Sequence, residues 1–172
     1  NILPSYSSCS FSSFDNQTNL SGWFFKCDNP ITTIIVVHDS GSNRLPFGVN
    51  MIDMIEQWLD NNYNVFLFDL RNSGESGGDI TTYGYLEWMD VIGAISQVRQ
   101  ISVTTDVVLY GIGSGTTACM LAYDKLPSRN LGSPIIPLLI VSFINFLEGI
   151  YLVQMASVTK TLLSLASFLI SF

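Results

Sequence analysis

Charged side chains are scarce in this sequence, and basic ones are the scarcest. Only 12% of its 172 residues are charged, with seven Lys and Arg against 14 Asp and Glu, which gives a net charge of -7. No cluster of Lys or Arg could follow a phosphate backbone, so we exclude nucleic acid as a partner. The hydrophobic fraction of 48% is enough to bury the core of one globular domain.

Histidine and cysteine are also rare. The chain has one histidine, His38, and three cysteines, Cys9, Cys27 and Cys119, at spacings unlike those of metal ligands. No metal and no cofactor are predicted. Cys9 and Cys27 lie on two strands that are predicted to pair, so they either form a disulfide in an oxidising compartment or remain two reduced thiols.

A secretory signal is missing as well. The chain starts at Asn1 rather than at Met, and residues 1–30 lack a basic start followed by an apolar block. This pattern favours a processed chain or a fragment. It leaves a bacterial cytoplasmic and a membrane-associated location both open.

Strand and helix patterns alternate along residues 1–126. A polar stretch separates two segments rich in aromatic and β-compatible residues, which predicts a β-hairpin from Ser5–Ser13 and Leu20–Lys26. Hydrophobic periodicity then predicts the strands Thr32–Val37, Asn64–Asp69 and Asp106–Tyr110, a helix at Val49–Asn61, and a helix capped by Thr81 or Thr82 that runs to about Gln100. The alternation indicates an α/β domain with a mainly parallel sheet.

The composition changes at residue 127. Beyond residue 134 only Glu148 and Lys160 are charged, and the two apolar blocks there are shorter than the ~20 residues that a spanning helix needs. We expect residues 127–172 to form an apolar helical tail, cap- or lid-like, that contacts a second copy of the chain or a membrane surface. A sixth strand within Ile135–Phe143 is the alternative.

Four stretches of the sequence carry a resemblance to a known family. They are LSGWFFK at residues 20–26, TTIIVVHDSGSNR at 32–44, YNVFLFDLRNSGESGG at 63–78 and DVVLYGIGSG at 106–115. In this order and spacing they resemble α/β-hydrolases, in particular the bacterial serine-aminopeptidase and prolyl-oligopeptidase-like branch. The resemblance implies a mostly parallel sheet with a leading antiparallel hairpin and helices on both faces, incomplete at the C-terminus.

In that family the pattern G-x-S-x-G forms a sharp strand-to-helix turn that presents a nucleophilic serine. Aligned on Gly111 and Gly115, this chain has Gly113 at the serine position and Ser114 one residue later. Gly113 carries no nucleophile. Ser114 is expected in the first turn of the helix, where its N–H would bind an oxyanion while its side chain points away from the cleft.

The loop after the first parallel strand corresponds to the oxyanion loop of the family, and the residues concerned are His38, Asp39, Ser40 and Gly41. His38 is expected to shape this loop through hydrogen bonds; the alternative is a base oriented by Asp39 or Asp69. Asp39 stands where the family has glycine. A carboxylate at that position would repel a developing oxyanion.

The loop after the second parallel strand carries three charged residues. Asp69, Arg71 and Glu75 are expected to form an ion-paired turn, which contributes little to stability if it is exposed. A substrate-binding role for Arg71 or Glu75 is the alternative.

Catalysis in the family also needs an acid and a histidine from loops after later strands. No histidine follows Gly115, and Asp124 and Glu148 are the only acids there. We therefore expect a C-terminally truncated, catalytically inactive homologue that keeps a cleft for a peptide, acyl or ester-like ligand or for a partner. The alternative is an active serine peptidase or esterase that uses Ser114 or residues outside this chain.

Overall fold

The computed structural model describes residues 2–126 and the backbone of residues 139–140, 144–146 and 149–151. The chain begins with an antiparallel hairpin, in which β1 (Ser7–Ser12) pairs with β2 (Asn19–Phe25) as predicted. Cys9 lies opposite Gly22 in this hairpin and not opposite Cys27, and both cysteines are free thiols.

Parallel strands form the centre of the sheet. They are β3 (Thr32–Val37), β4 (Tyr63–Phe68) and β5 (Val107–Gly111), and each of their residues is buried. Uninterrupted apolar and β-branched runs suit strands that are covered on both faces. A short strand, β6 (Leu139–Ile140), pairs in parallel with β5, and the strand order among the described residues is β1-β2-β4-β3-β5-β6.

Three helices cover the two faces of this sheet. Helix α1 (Met51–Asp60) packs on one face, where Ile55 and Trp58 join the apolar side chains of the central strands. Helices α2 (Trp88–Ile101) and α3 (Ser114–Lys125) pack on the other face. The predicted fold class, a mostly parallel sheet with a leading hairpin and helices on both faces, is confirmed. No helix in the described part of the chain has the length and apolar character to cross a membrane.

Helix α2 begins later than predicted. Its first residue is Trp88, with Glu87 at the N-cap, whereas the sequence predicts a cap at Thr81 or Thr82. The Thr82 hydroxyl instead accepts the Leu86 N–H at 2.7 Å and donates to the Glu87 carboxylate at 2.6 Å. The prediction was wrong because these local hydrogen bonds stabilise a turn before the helix rather than its first helical turn.

The described segments of the apolar tail are strands. In addition to β6, β7 (Ile144–Phe146) and β8 (Gly149–Tyr151) form a separate antiparallel pair. These segments are strands where the sequence predicts a helix, and β6 lies within Ile135–Phe143, the span of the alternative sixth strand, where it pairs with the outer edge of β5. The rest of 127–172, including its predicted contacts with a second copy or a membrane surface, lies outside the described residues.

Helix α3 starts in contact with the end of β3. A Cβ on Gly115, in the first turn of α3, would lie 2.6 Å from the carbonyl oxygen of His38 and closer still to that of Val37. Gly111 at the end of β5 is equally constrained, since its Cβ would lie 2.6 Å from Cα of Thr116. The backbones approach this closely because both positions are glycine.

We expect Gly115→Ala to lower the free energy of unfolding by about 1–3 kcal/mol, because the added methyl group meets backbone that must shift. Gly77→Ala is the matched control, since a Cβ at Gly77 would lie 3.4 Å from its nearest neighbour, the carbonyl oxygen of Asn19. Urea unfolding of both variants measures the difference. Equal losses at the two positions would contradict the close contact between α3 and β3.

Candidate functional site

The carboxyl ends of β3 and β5 are neighbours in the sheet, so the loops that follow these strands meet at one edge. The loop after β3 begins with His38–Gly41, and Ile112 and Gly113 connect β5 to α3. The Ile112 N–H donates to the carbonyl oxygen of Val37 at 2.9 Å, which joins the two loops. This edge therefore brings the predicted oxyanion loop, His38–Gly41, next to the predicted strand-to-helix turn that contains Gly113 and Ser114.

Gly113 has backbone angles that few residues adopt. Its φ is 55° and its ψ is -126°, a combination that glycine reaches without the strain that a side chain would add. The family resemblance implies a sharp turn between a strand and a helix, with a strained residue at its apex. The turn is formed here, and the residue at its apex carries no side chain.

The carboxylate of Asp39 lies in the space beside Gly113. A Cβ on Gly113 would be 2.5 Å from either oxygen of that carboxylate. Its Oδ1 accepts the backbone N–H of Ser40 at 2.9 Å, the backbone N–H of Ser114 at 2.8 Å and the Ser114 hydroxyl at 2.7 Å. Two backbone donors from different loops thus converge on one oxygen, which is the arrangement that stabilises an oxyanion.

The Ser114 hydroxyl has hydrogen-bond partners on both sides. It donates to Asp39, and its oxygen accepts the Ser40 backbone N–H at 2.9 Å. The hydroxyls of Ser40 and Ser114 are 2.7 Å apart. Because the single proton of Ser114 is given to Asp39, Ser40 is the donor in that contact.

His38 is buried, and both of its ring nitrogens are used to hold the loop. The Leu70 N–H donates to Nε2 at 3.0 Å, so Nε2 is unprotonated and Nδ1 carries the proton, which it donates to the carbonyl oxygen of Asp39 at 2.7 Å. The same carbonyl oxygen accepts the Ser42 N–H at 3.2 Å. This closes a turn whose third residue, Gly41, has a φ of 75°, as such turns require.

Burial lowers the pKa of His38 and therefore favours the neutral ring. The hydrogen bond to Asp39 and the nearby carboxylate of Asp69 oppose this effect, while the positive charge of Arg44 reinforces it. A neutral ring with both nitrogens occupied is not placed to take a proton from Ser114. The geometry favours the loop-shaping role over the base.

Arg44 is a residue of this edge that the sequence analysis missed. It is buried, lies 4.6 Å from the ring centre of Trp23, and forms ion pairs with Asp69 and, at 2.8 Å, with Glu75. Burial raises the pKa of Asp69, but hydrogen bonds from Arg44 and from the Glu75 backbone outweigh it and keep that pKa below its usual value. Asp69 and Glu75 are ion-paired as predicted, but their partner is Arg44 rather than Arg71, and Asp69 is buried.

Arg71 pairs with Asp90 of α2 instead. Its Nη2 lies 2.8 Å from Oδ1 of Asp90, and its backbone N–H donates to Oδ2 at 2.9 Å. Both side chains are buried, and removal of Arg71 would leave Asp90 without its counter-charge, whereas Arg71 also lies 3.7 Å from Oδ2 of Asp15. Arg71 thus joins the loop after β4 to α2 rather than facing a ligand.

Within the described residues, no three His, Cys, Asp or Glu side chains are grouped as metal ligands would be.

A second group that the sequence analysis missed lies beside the strand-to-helix turn at Gly111–Gly115, here called the elbow. Gly84 packs on the first turn of α3, where its Cβ would be 2.8 Å from the carbonyl oxygen of Ser114. It lies between the exposed Tyr83 and Tyr85, and Tyr83 has the unfavourable φ of 54°. The buried Glu87 carboxylate accepts the Gly84 N–H at 2.8 Å and so holds this turn. The sequence signal was the pair of tyrosines around a glycine just before a helix.

The chain has the α/β-hydrolase fold. An esterase of Pyrococcus furiosus matches 71% of this chain and 47% of its own with a TM-score of 0.63 and 27% identity. A lidless α/β serine hydrolase of Xanthomonas campestris matches 83% of this chain and 73% of its own with a TM-score of 0.59. An esterase of Exiguobacterium antarcticum has a TM-score of 0.58. The last two are 17% and 18% identical to this chain, so they show the fold alone.

Curated relatives also match part of the chain. The uncharacterized protein YfhR of Escherichia coli (strain K12) is 35% identical over 106 residues, which are 57% of this chain and 35% of that protein. The uncharacterized protein YqkD of Bacillus subtilis (strain 168) is 30% identical over 95 residues, or 55% of this chain and 30% of that protein. The chain thus spans about a third of the length of these relatives. No protein-family model matches it.

We expect acid to destabilise the protein through His38. Its pKa in the folded state lies below the unfolded value of about 6.5, so the stability that depends on the neutral ring is present above that pH and is lost as the pH falls towards the folded value. In that window the free energy of unfolding should fall by up to about 1.4 kcal/mol per pH unit, as measured by urea unfolding.

The control for this pH dependence is His38→Gln, which keeps an amide oxygen to accept the Leu70 N–H but cannot be protonated. The free energy of unfolding of this variant should fall less steeply with decreasing pH, over the same window, than that of the unchanged protein. Identical slopes would show that other groups cause the acid sensitivity.

Proposed function

We propose that this chain is a non-catalytic α/β-hydrolase homologue that binds an apolar acyl or ester-like ligand at the elbow without hydrolysing it. The observation that carries the proposal is Gly113, which has the φ of 55° and ψ of -126° of the elbow apex but no side chain. Acyl transfer on this fold proceeds through attack by an oxygen or sulfur nucleophile at that position. Glycine has neither.

The surroundings of Gly113 support the loss of catalysis. The Asp39 carboxylate accepts the two N–H groups that an oxyanion would need, and its negative charge would repel such an oxyanion. His38, the single histidine of the chain, is neutral and bonded at both nitrogens. In this arrangement the N–H groups of the oxyanion site are already bound to Asp39, and the histidine is not free to act as a base.

Exposed aromatic residues near the elbow support a retained binding role. Tyr83 and Tyr85 flank the glycine that packs on the first turn of α3, and Phe47 is fully exposed in the loop after β3. Aromatic side chains contribute large apolar contact areas to ligand sites. We propose an ester-like ligand by analogy with the esterase of Pyrococcus furiosus. The resemblance to serine aminopeptidases adds a peptide as a second ligand to compare.

The alternative, an active hydrolase, is favoured by one observation. Ser114 has a hydroxyl within 2.7 Å of a carboxylate, which would be its only base among the described residues. Against it, Ser114 lies in the first turn of α3 and its proton acceptor also fills the oxyanion position. A nucleophile displaced by even ~1 Å from the productive geometry loses about 100-fold in rate.

We expect a fluorophosphonate probe to leave the folded protein unlabelled and p-nitrophenyl butyrate to be hydrolysed no faster than in buffer. Intact-protein mass spectrometry and absorbance measure the two outcomes. The comparison variant is Ser114→Ala. A covalent adduct on Ser114, together with turnover that disappears in Ser114→Ala, would replace the proposal with the active serine hydrolase.

Binding without turnover is tested by saturation-transfer NMR with p-nitrophenyl butyrate as the probe ligand. We expect Tyr83→Ala to raise its dissociation constant by about 2–10-fold, the loss expected for one aromatic contact. Tyr123→Ala is the matched control, because this exposed tyrosine lies near the far end of α3. Absence of binding, or equal effects of the two variants, would contradict a ligand site at the elbow.

A further inference from the structure

The carboxylate of Asp39 occupies the space at the elbow that a side chain at position 113 would need. A Cβ on Gly113 would lie 2.5 Å from both oxygens of the Asp39 carboxylate, which is well inside the contact distance of unbonded atoms. A side chain at position 113 and a carboxylate in this position therefore exclude each other. The carboxylate can enter because residue 113 is glycine.

We propose that the Asp39 carboxylate is an internal ligand that closes the anion-binding position formed by the N–H groups of Ser40 and Ser114, and that Gly113 makes room for it. Once Asp39 is removed, the same position should accept a small monocarboxylate from solution. This inference concerns the site of the proposed function, but it depends on neither the presence nor the absence of turnover.

The bonding around Oδ1 is that of a bound anion. This oxygen accepts three hydrogen bonds, two from backbone N–H groups and one from the Ser114 hydroxyl. Hydrogen bonds to an ionised acceptor are roughly twice as strong as neutral ones. The donor on Ser114 also belongs to the first turn of α3, where the helix dipole favours negative charge.

The donors are held in place by contacts that do not involve this carboxylate. The Ser40 N–H also donates to the Ser114 oxygen at 2.9 Å, and His38 holds the carbonyl group of Asp39 from the other side. Removal of the side chain should therefore leave the two N–H groups pointing at an accessible position. A tethered carboxylate has a high effective concentration, so external anions do not displace it from the unchanged protein.

The first experiment replaces the internal ligand with a free one. We expect Asp39→Gly to lower the melting temperature by about 3–6 °C, and sodium acetate to restore at least ~2 °C of that loss with a saturable concentration dependence. Sodium chloride at the same ionic strength controls for screening. The unchanged protein and Asp79→Gly, which removes an exposed carboxylate from another loop, should show no response specific to acetate.

The second experiment tests the shared space by a double-mutant cycle of melting temperatures. Gly113→Ala should cost more in the unchanged protein than in the Asp39→Gly background, because the added Cβ meets the carboxylate in the first case only. The strain of a side chain at a φ of 55° is present in both backgrounds and cancels in the comparison.

Each outcome decides the inference. A specific acetate response of Asp39→Gly together with a smaller cost of Gly113→Ala in that background supports it. An equal response of all proteins to acetate, or equal costs of Gly113→Ala, overturns it. If Asp39→Gly does not fold, Asp39→Ala replaces it, and Asp39→Asn serves as the variant that fills the space without charge and should not respond to acetate. Labelling of Ser114 by a fluorophosphonate would refute the proposed function and leave these thermal results unchanged.

Discussion

The contact between the first turn of α3 and the end of β3 determines the geometry of the whole edge. At Gly115 the helix backbone lies against the carbonyl groups of Val37 and His38, at distances that exclude a Cβ. Because the helix cannot move away without losing this contact, the N–H of Ser114 is fixed relative to the loop that begins at His38. The hydrogen bonds of Ser114 with Asp39 and Ser40 are made across this junction.

The partners of the charged groups at this edge depend on that fixed arrangement. The junction presents backbone N–H groups without a backbone partner, and the Asp39 carboxylate satisfies two of them. Burial lowers the pKa of the neighbouring His38 and favours its neutral ring, so this ring does not compete with the two N–H groups for the carboxylate. The buried Arg44 nearby is paired with Asp69 and Glu75. The two buried charges of this group, Arg44 and Asp69, are paired with each other, as burial in a region of low dielectric constant requires.

Features that depend on neighbours in the sequence could be predicted from it. The strand at Thr32–Val37 was predictable from a continuous β-branched run, and the elbow from the spacing of Gly111 and Gly115. Features that depend on distant pairs could not be predicted. Arg44 meets Asp69 across 25 positions and Asp39 meets Ser114 across 75, and neither spacing has a periodic signal. The sequence predicted that Asp39 would repel an oxyanion but not that it would take the place of one.

Gly113 stands where the α/β-hydrolases that the sequence resembles have serine, Asp39 stands where they have glycine, and the two residues are neighbours in the structure. An aspartate carboxylate in this position would collide with the Cβ of any other residue at position 113. The carboxylate fills the space beside Gly113 and accepts the N–H groups of Ser40 and Ser114, of which the Ser40 N–H also donates to the Ser114 hydroxyl oxygen. In the proposed non-catalytic homologue, the glycine at residue 113 is thus coupled to the hydrogen bonds that the Asp39 carboxylate makes in the same space.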